Sequence, residues 1–372
     1  MILSKLKQAY SEAKNSFENL LMKHLITSIF FVLIALSSLA SDSLKTRRFS
    51  ILPVPTLGFT PETRFYFGAV ALTTIRLSKD TNTRTSNASV EFNYSLRKQA
   101  IFDLDWNLFL PEEKWFSKGL ISLRSYPDLY FGSSIRNPND TGHLYESNRS
   151  IAQVHFLRAL KPKLFFGPSL RYLGFSQIDT ASKILFPELA ENRVFGLGLN
   201  FIFDTRDNLL NATRGLLIEL SATNNRVLNA GSYQRLFLDL RHFRKLKNHI
   251  LSGRYFAEIS SNSEIPFFDL SQLGGDDRVR AYFKGRYRNL NSHSFQVEYK
   301  SPNFWRLRIA AFGGVSGIGA DLSELRSSKA LWNYGIGLRL LADKEENINL
   351  RLDYALGSEG LGGFYIAFGE SF

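Results

Sequence analysis

Apolar and polar residues alternate with a period of two along most of this 372-residue chain. The segment INLRLDY at residues 348–354 is one example, and FQVEYK at 295–300 and YGIGLRLL at 334–341 are others. Alternation of this kind places apolar side chains on one face of a β-strand and polar side chains on the other. The pattern therefore predicts an all-β protein from residue 50 onward.

Full charges occupy the polar faces of these strands, as Glu298, Arg339 and Asp353 illustrate. A soluble β-sandwich would show such charges to solvent, whereas a membrane barrel shows its apolar face to lipid and its charges to a wet lumen. The segments are about ten residues long, which is the length of a tilted membrane-spanning strand, and many apolar positions are aromatic. The sequence therefore predicts a transmembrane antiparallel β-barrel. A mean hydropathy of −0.13 argues against a helical membrane protein.

About sixteen such segments are present, and the connections between them alternate in length. The predicted strands cover residues 51–59, 65–77, 86–97, 100–110, 117–126, 148–158, 163–175, 193–203, 214–224, 232–243, 248–260, 292–301, 306–316, 331–341, 346–355 and 362–371. Outer-membrane barrels have short periplasmic turns and longer extracellular loops. With an even number of strands both ends lie on the periplasmic side. The longest connection, residues 261–291, then becomes the sixth extracellular loop.

The N-terminal part of the chain has a different composition from the rest. An apolar run at residues 25–36 follows a charged start and precedes the sequence SSLA at residues 37–40, which ends in a small-x-small cleavage site. This order is typical of a secretory signal peptide, and the run is shorter than the roughly 20 residues of a membrane helix. We predict an upstream extension or mis-start at residues 1–21 (alternatively an amphipathic helix), a signal peptide at 22–40 cleaved after Ala40, a short periplasmic linker at 41–49 and a barrel at 50–372. The expected location is the outer membrane of a Gram-negative cell, with no periplasmic domain.

Composition narrows the chemistry further. The chain carries 46 Lys+Arg against 34 Asp+Glu, a net charge of +12, and no cysteine. The lack of cysteine excludes thiolate metal sites, disulfides and cysteine nucleophiles. The histidines lack metal-ligand spacing, so no metal or other cofactor is expected. Nucleic acid is not an expected partner, because the cations alternate along strands and cluster in one loop. The barrel lumen and the anionic headgroups of outer-membrane lipid and lipopolysaccharide are the expected partners of the positive charge.

One segment of the long loop stands apart. Residues 273–288, LGGDDRVRAYFKGRYR, combine five cations, three glycines and three aromatic residues. A surface loop without a role would be more polar and less aromatic. The segment is therefore predicted to fold back against acidic groups. A barrel of about sixteen strands encloses a wet channel, and an inward-folded loop would keep that channel from leaking.

Three stretches together resemble the BamA/TamA family of outer-membrane assembly proteins, also called bacterial surface antigens. The residues that resemble the family's Val-Arg-Gly-Tyr lid loop are Gly274, Gly275, Val279, Arg280, Tyr282, Gly285 and Arg286. Those that resemble its periplasmic turn motif are Asp204, Arg206, Asp207 and Gly215. Those that resemble the C-terminal signal for barrel insertion are Phe364, Ile366, Phe368 and Phe372. The resemblance covers residues 193–372 well and 50–192 loosely.

The resemblance implies a structure and a function. It implies that the lid loop folds into the lumen, where Arg280 bonds to carboxylates of the wall, with Glu298 as one partner. It also implies that the first and last strands meet at a weak seam that can open sideways. Family members insert, assemble or secrete other proteins without covalent chemistry. Unfolded outer-membrane proteins and subunits of an assembly machinery are therefore expected partners, and no catalytic residue is expected.

The chain departs from the family pattern at three points. Ala281 stands where the loop motif has glycine, and Gly313 and Gly314 stand where an aspartate is expected. One carboxylate partner of Arg280 is therefore predicted to be missing. The third departure is the expected lack of periplasmic domains, which makes the chain similar to short, barrel-only members.

Other functions remain open at this point. Arg280, Arg286 and Glu298 could serve only to plug and brace the barrel, whatever else the protein does. The chain would then be a passive plugged pore or a structural surface barrel. An outer-membrane lipid hydrolase is a second alternative, because serine and histidine on adjacent strands can form a site that sequence spacing does not reveal.

Overall fold

The computed structural model of the chain describes residues 49–60, 64–78, 83–96, 98–132, 142–180, 186–261, 264–344 and 347–372. The upstream extension, the signal peptide and nearly all of the linker that we predict for residues 1–49 lie outside the described residues.

Sixteen strands form one antiparallel sheet, as the sequence predicts, and each is hydrogen-bonded to the next along the chain. They are β1 (Phe49–Thr60), β2 (Arg64–Ile75), β3 (Ser86–Ser95), β4 (Ala100–Phe109), β5 (Trp115–Tyr130), β6 (His143–Lys161), β7 (Leu164–Thr180), β8 (Asn192–Asp204), β9 (Gly215–Val227), β10 (Ser232–Leu246), β11 (His249–Ser260), β14 (Asn291–Lys300), β15 (Leu307–Gly319), β16 (Leu331–Asp343), β17 (Ile348–Gly357) and β18 (Gly362–Phe368). The sheet curls round until β1 and β18 lie side by side.

A few shorter elements lie in the connections. Two three-residue strands, β12 (Ser271–Leu273) and β13 (Tyr287–Asn289), pair with each other inside the long loop. Three 3-10 turns cover Pro111–Glu113, Phe267–Asp269 and Ser358–Gly360, and a short helix α1 covers Leu322–Ser327. Within the described residues, no helix has the length and apolarity needed to cross a bilayer.

The barrel is apolar outside and polar inside, which inverts the arrangement of a soluble protein. In β8, Phe195 and Leu197 are 54% and 63% exposed, whereas Val194 is 1% exposed and Asn200 is fully buried. An alternation of exposed apolar and buried polar side chains fits a wall between lipid and a lumen. Aromatic pairs lie near both ends of the wall: Trp332 stacks on Tyr334 at the extracellular end, and Trp115 stacks on Phe156 at the periplasmic end. Such belts are typical of membrane interfaces.

The sixth loop, residues 261–290, folds into the lumen; its residues 261 and 264–290 are described. Its beginning packs into an apolar cluster with the walls of β5 to β10, through Ile265, Phe267 and Phe268. Its middle forms a second cluster with β11, β15 and β16, through Leu273, Val279, Tyr282 and Tyr287. The loop is thus held by burial of apolar surface as well as by charge.

Candidate functional site in the barrel lumen

The sixth loop enters the lumen as a narrow hairpin. Leu273 pairs with Tyr287 at the end of β12 and β13, and the chain beyond them turns back at Gly274. The φ of Gly274 is +104°, and a Cβ there would lie 2.2 Å from the carbonyl oxygen of Phe283. Only glycine avoids that clash and adopts this φ without strain. The glycine therefore allows the tip of the hairpin, including Arg280, to fold tightly.

Arg280 is fully buried at the inner wall. Its Nη2 donates to Glu298 Oε2 on β14 at 2.9 Å, and its Nη1 donates to Asp353 Oδ2 on β17 at 2.6 Å. Its guanidinium lies 3.3 Å from the ring centroid of Phe312 on β15. The structure thus brings together the predicted pair of Arg280 and Glu298, and it adds an aromatic platform.

The prediction that Arg280 lacks a second carboxylate is wrong. No aspartate occupies Gly313 or Gly314, but Asp353 supplies the carboxylate from β17 instead. Asp353 is itself fully buried, and Arg339 Nη1 donates to its other oxygen, Oδ1, at 2.5 Å. Asp353 can take the place of the aspartate expected on β15 because β17 lies only two strands further on, and its inward side chains face the same loop tip.

A wider ionic network surrounds this contact. Arg339 also donates to Glu298 at 3.2 Å, and Arg351 donates to Asp276 of the loop at 2.8 Å. The network contains four cations and four carboxylates, so it is electrically balanced. Its members are Arg280, Lys300, Arg339, Arg351, Asp276, Glu298, Asp353 and Glu370. Burial of so many charges is tolerated only when each has partners.

The C-terminal residues belong to the same network. Beyond β18, Glu370 accepts from Lys300 at 2.7 Å and from Arg339 at 3.2 Å. The hydroxyl of Ser371 donates to the carbonyl of Asp276 at 2.8 Å. The tail that follows the last strand therefore contacts both the wall and the sixth loop.

The residues next to Arg280 bind the strands closest to the end of the sheet. The backbone N–H of Ala281 donates to the hydroxyl of Tyr365 on β18 at 3.0 Å. The hydroxyl of Tyr282 donates to the carbonyl of Trp332 at 2.5 Å and accepts from the N–H of Ser358 at 2.9 Å. Ala281 has a φ of 90°, a conformation that suits the glycine of the family motif better than alanine.

A second anchor, which the sequence did not predict, holds the base of the loop. Asp269 is paired with Arg171 on β7 and with Arg235 on β10, the latter at 2.8 Å, and it accepts from the hydroxyl of Tyr233. Burial alone would raise the pKa of Asp269, but the two guanidinium groups lower it well below its usual range. The predicted loop residue Arg286 lies with its guanidinium 4.9 Å from the ring centroid of Phe131.

The predicted periplasmic turn motif forms the connection between β8 and β9, residues 205–214, and is braced by local hydrogen bonds. Arg206 donates to Asp204 from both Nε, at 3.0 Å, and Nη2, at 2.9 Å. Gly215 has a φ of +114°, and a Cβ there would lie 2.4 Å from the carbonyl oxygen of Thr205. Burial alone would raise the pKa of Asp207, but hydrogen bonds from the Thr213 hydroxyl and from backbone N–H groups lower it.

This β8–β9 turn extends across the periplasmic mouth. Asn211 donates to the carbonyl of Asn347, beside β17, at 3.1 Å. Leu210 lines a small cavity with Leu52 of β1 and Ile348 of β17. Since β8 and β9 are the eighth and ninth barrel strands and β17 is the fifteenth, the turn spans most of the opening. An apolar layer lies beside it, made of Phe109, Phe116, Leu157, Phe165, Ile202 and Leu217.

One junction between neighbouring strands lacks a hydrogen-bonded ladder. In the part of the chain that the structure describes, β1 pairs only with β2 and β18 pairs only with β17, so no backbone ladder joins β1 to β18. A side chain of β2 crosses the gap: the hydroxyl of Tyr66 donates to the carbonyl of Ile366 at 3.3 Å. The predicted C-terminal signal lies along this edge. Phe364 is exposed, Ile366 and Phe372 are half-buried, and Phe368 ends the strand.

Two prolines remove hydrogen-bond donors from this junction, and the sequence analysis missed them. Pro53 and Pro55 lie in β1, whose register with β2 is unbroken through both positions. An unbroken register requires that the N–H groups facing β2 come from the residues between and beside the prolines. The nitrogen atoms of Pro53 and Pro55 therefore face β18, where they cannot donate. The Pro-x-Pro spacing in the first strand was the available signal.

Ser169 and His155 are not arranged as the nucleophile and base of a serine hydrolase. Ser169 and His155 face each other on β7 and β6, and the Ser169 hydroxyl has no hydrogen-bond partner within the described residues. However, Asn200 Nδ2 donates to Glu219 at 3.1 Å and lies 2.9 Å from His155 Nδ1. His155 Nδ1 must then accept, which leaves the proton on Nε2, where a base for Ser169 needs a lone pair. Within the described residues, no group of three or more His, Asp and Glu side chains could hold a metal ion.

The fold and the lumen define a class of protein: an outer-membrane β-barrel of sixteen strands with an inward-folded sixth loop. Residues 66–372 match the Omp85 superfamily domain, and the chain belongs to that superfamily. None of the curated protein sequences compared with this chain matches it significantly.

Three solved structures are similar in fold to this chain. BamA from Haemophilus ducreyi lacking POTRA domains 1–3 matches with a TM-score of 0.56 and 11% identity, over 87% of this chain and 70% of that one. CdiB from Acinetobacter baumannii matches with a TM-score of 0.57 and 11% identity, over 87% and 60%. CdiB from Escherichia coli matches with a TM-score of 0.54 and 12% identity, over 88% and 68%. The chain thus spans about two thirds of the length of these proteins.

Proposed function

We propose that this protein inserts, assembles or secretes other proteins through the seam between β1 and β18. The observation that carries the proposal is the Pro53-x-Pro55 edge of β1, which withholds two backbone donors from the junction. A junction without a ladder opens at lower cost than any of the fifteen hydrogen-bonded ones. Membership of the Omp85 superfamily, an outer-membrane family, supports a role in assembly or secretion.

Two of the described segments obstruct the lumen. The sixth loop fills its middle, and the β8–β9 turn crosses its periplasmic mouth. A substrate that enters the membrane from the barrel would therefore pass the seam rather than the channel. This arrangement favours a lateral mechanism over a passive open pore.

An opened seam would act as a template for a strand of the client protein. An exposed strand edge binds an added strand through main-chain hydrogen bonds. The edge of β1 lacks donors at Pro53 and Pro55, whereas β18 contains no proline. We therefore assign the stronger pairing of a client strand to β18.

Covalent locking of the seam tests this function. The chain has no cysteine, so a cysteine pair placed across β1 and β18 forms the only disulfide. We expect the oxidised protein to lose its support of outer-membrane protein assembly, and reduction to restore it. The matched control joins Tyr354 and Phe364, which already face each other on β17 and β18; that disulfide should change nothing. Normal assembly with a locked seam would refute the proposal.

Gene deletion identifies the clients and separates assembly from a passive role. We expect specific outer-membrane proteins to lose abundance when the gene is deleted, whereas an unchanged outer-membrane proteome would favour a structural barrel. The proposal also includes export by a cleaved signal peptide. Cleavage after Ala40 predicts a mature N-terminus at Ser41, which N-terminal sequencing of the membrane-inserted protein checks.

A further inference from the structure

Three periplasmic turns are strongly basic. The turns are those between β6 and β7, between β10 and β11, and between β14 and β15. We call their cations the basic rim: Arg158, Lys161, Lys163, Arg244, Lys245, Lys247 and Arg306. Six of them are exposed and Arg306 is half-buried. Residues 158–164, 244–249 and 301–308 contain no aspartate or glutamate.

The described residues contain no ion pair that neutralises the basic rim. Among the ion pairs of the described residues, none involves a member of the rim. Neighbouring turns behave differently. Lys114 pairs with Glu112 at 2.8 Å, and Arg84 pairs with Glu113 at 3.0 Å. The unpaired positive charge is therefore a feature of these three turns and is not shared by the β2–β3 and β4–β5 connections.

Exposed aromatic residues accompany the cations. Phe304 and Trp305 at the tip of the β14–β15 turn are 84% and 79% exposed. The guanidinium of Arg158 lies 5.9 Å from the ring of Trp115, which itself stacks on the lipid-facing Phe156. Tryptophan beside arginine at the end of an apolar wall is the composition of a membrane–water interface.

Two of the strands that carry the basic rim, β6 and β7, have exposed acidic residues at their other end. Glu146 on β6 and Asp179 on β7 are exposed at the extracellular end, above the turn that carries Lys161 and Lys163. On β6 and β7, attraction to anionic headgroups is thus stronger at the periplasmic end than at the extracellular end. A water-soluble acidic protein would match the charge, but it would leave Phe304 and Trp305 without an apolar phase to enter.

We propose that the basic rim binds the headgroups of anionic phospholipids in the periplasmic leaflet of the outer membrane. The guanidinium and ammonium groups pair with headgroup phosphates, while Phe304 and Trp305 enter the headgroup–acyl boundary. Electrostatic attraction of this kind falls off within a Debye length, so bound lipid depends on salt. The site is independent of the seam function, since it lies on turns remote from β1 and β18.

Paired charge-removal variants of the full-length protein test the site. The rim variant is R244Q/K245Q/K247Q, and the control variant is K98Q/R193Q/R226Q. The control also removes three exposed cations without ion pairs in the described structure, but at the extracellular end. The probe is fluorescent phosphatidylglycerol in zwitterionic detergent, with phosphatidylcholine as the neutral comparison. A heat-modifiable band on electrophoresis confirms that both variants fold.

We expect the rim variant to bind phosphatidylglycerol about fivefold more weakly per cation removed at low salt, and the control variant to change less than twofold. High salt should abolish the difference. Equal binding of the two lipids by the natural protein, or equal loss in both variants, would overturn the proposal. If lipopolysaccharide displaced phosphatidylglycerol from the natural protein and the rim variant but not from the control variant, that result would assign the lipid affinity to the extracellular end instead. An acidic periplasmic protein that binds only the natural rim, while phosphatidylglycerol binds both proteins alike, would show that the rim serves a protein.

Discussion

Arg280 at the tip of the sixth loop donates to Asp353 on β17 at 2.6 Å, although the two residues are 73 positions apart in the chain. The contact attaches the loop to the strand next to β18, one strand away from the seam. Asp353 is shared with Arg339, which also holds Glu370 of the C-terminal tail. Displacement of the loop therefore disturbs partners of the last strand, which gives the seam and the loop a physical link.

Replacement of Arg280 by methionine should release the tip of the loop. Removal of one partner from a buried ion pair costs about 3–5 kcal/mol, and because Asp353 keeps Arg339 as a partner, we expect a loss near the lower value. We expect faster proteolysis within residues 276–288 and a lower temperature for loss of the folded electrophoretic band. The control is R214M: Arg214 is largely exposed, and its Nε lies 3.9 Å from Asp207, so the change should be below about 0.5 kcal/mol. Equal effects of R280M and R214M on proteolysis and stability would contradict the buried ion pairs of Arg280.

Ala281 restricts what its position accepts. Its φ of 90° disfavours any side chain, and its methyl packs against Phe312, Ala355 and Tyr365. Valine adds branching that is poorly tolerated at positive φ and overfills the cluster, at a cost of about 1–3 kcal/mol. Glycine relieves strain but loses a buried methyl, and we expect a net change within about 1 kcal/mol. Thermal unfolding of A281V and A281G in detergent measures both values; a harmless valine would rule out the strained conformation.

Acid should loosen the base of the sixth loop. The pKa of Asp269 is depressed in the folded state, because Arg171 and Arg235 outweigh the effect of burial. A group with a depressed pKa stabilises the fold fully above its unfolded pKa, about 3.9 for aspartate. That stability is lost as the pH falls through the folded pKa. We expect protection of the loop from an acid-stable protease to be constant above about pH 4 and to decline below it. In D269N the decline should be smaller, and an unchanged profile would contradict the pairing.

Two independent closures should block the lumen. Deletion of residues 276–288 removes the loop tip, but the β8–β9 turn still crosses the mouth through Asn211 and Asn347. We expect low single-channel conductance after this deletion or after replacement of residues 208–212 by a short linker, and large conductance only when both changes are combined. Stable, large conductance after loop deletion alone would show that the turn does not close the mouth. If that variant also left assembly normal, a passive plugged pore would be favoured.

Substitution of the β1 prolines should allow backbone hydrogen bonds to form across the seam. P53V/P55V restores two backbone donors that face β18, and each new hydrogen bond is worth about 0.5–1.5 kcal/mol. We expect a more heat-resistant barrel with reduced assembly activity. The control is P168V, at an outward-facing proline of β7 far from the seam, which should leave activity unchanged. If P53V/P55V were more stable and fully active, the prolines would not be needed for the seam to open.

The sequence by itself determined the sixteen strands, their inward and outward faces and the position of the long loop. These features are local, because a period of two and a change of loop length can be recognised along a single segment. It also indicated Arg280 and Glu298, but through resemblance to a family rather than through spacing. The charges of Arg339 and Asp353 were correctly assigned to the polar face of their strands.

Only the tertiary structure decided which of those inward charges meet. Asp353 replaces the expected aspartate near Gly313, Glu370 enters the lumen from the tail, and the β8–β9 turn reaches Asn347 across the barrel. Such contacts depend on how a curved sheet brings distant strands to face each other across one lumen, and no periodicity along the chain encodes that. The seam depends on both the sequence and the tertiary structure. Pro53 and Pro55 remove two hydrogen-bond donors from the edge of β1, and closure of the barrel decides that β18 is the strand facing that edge.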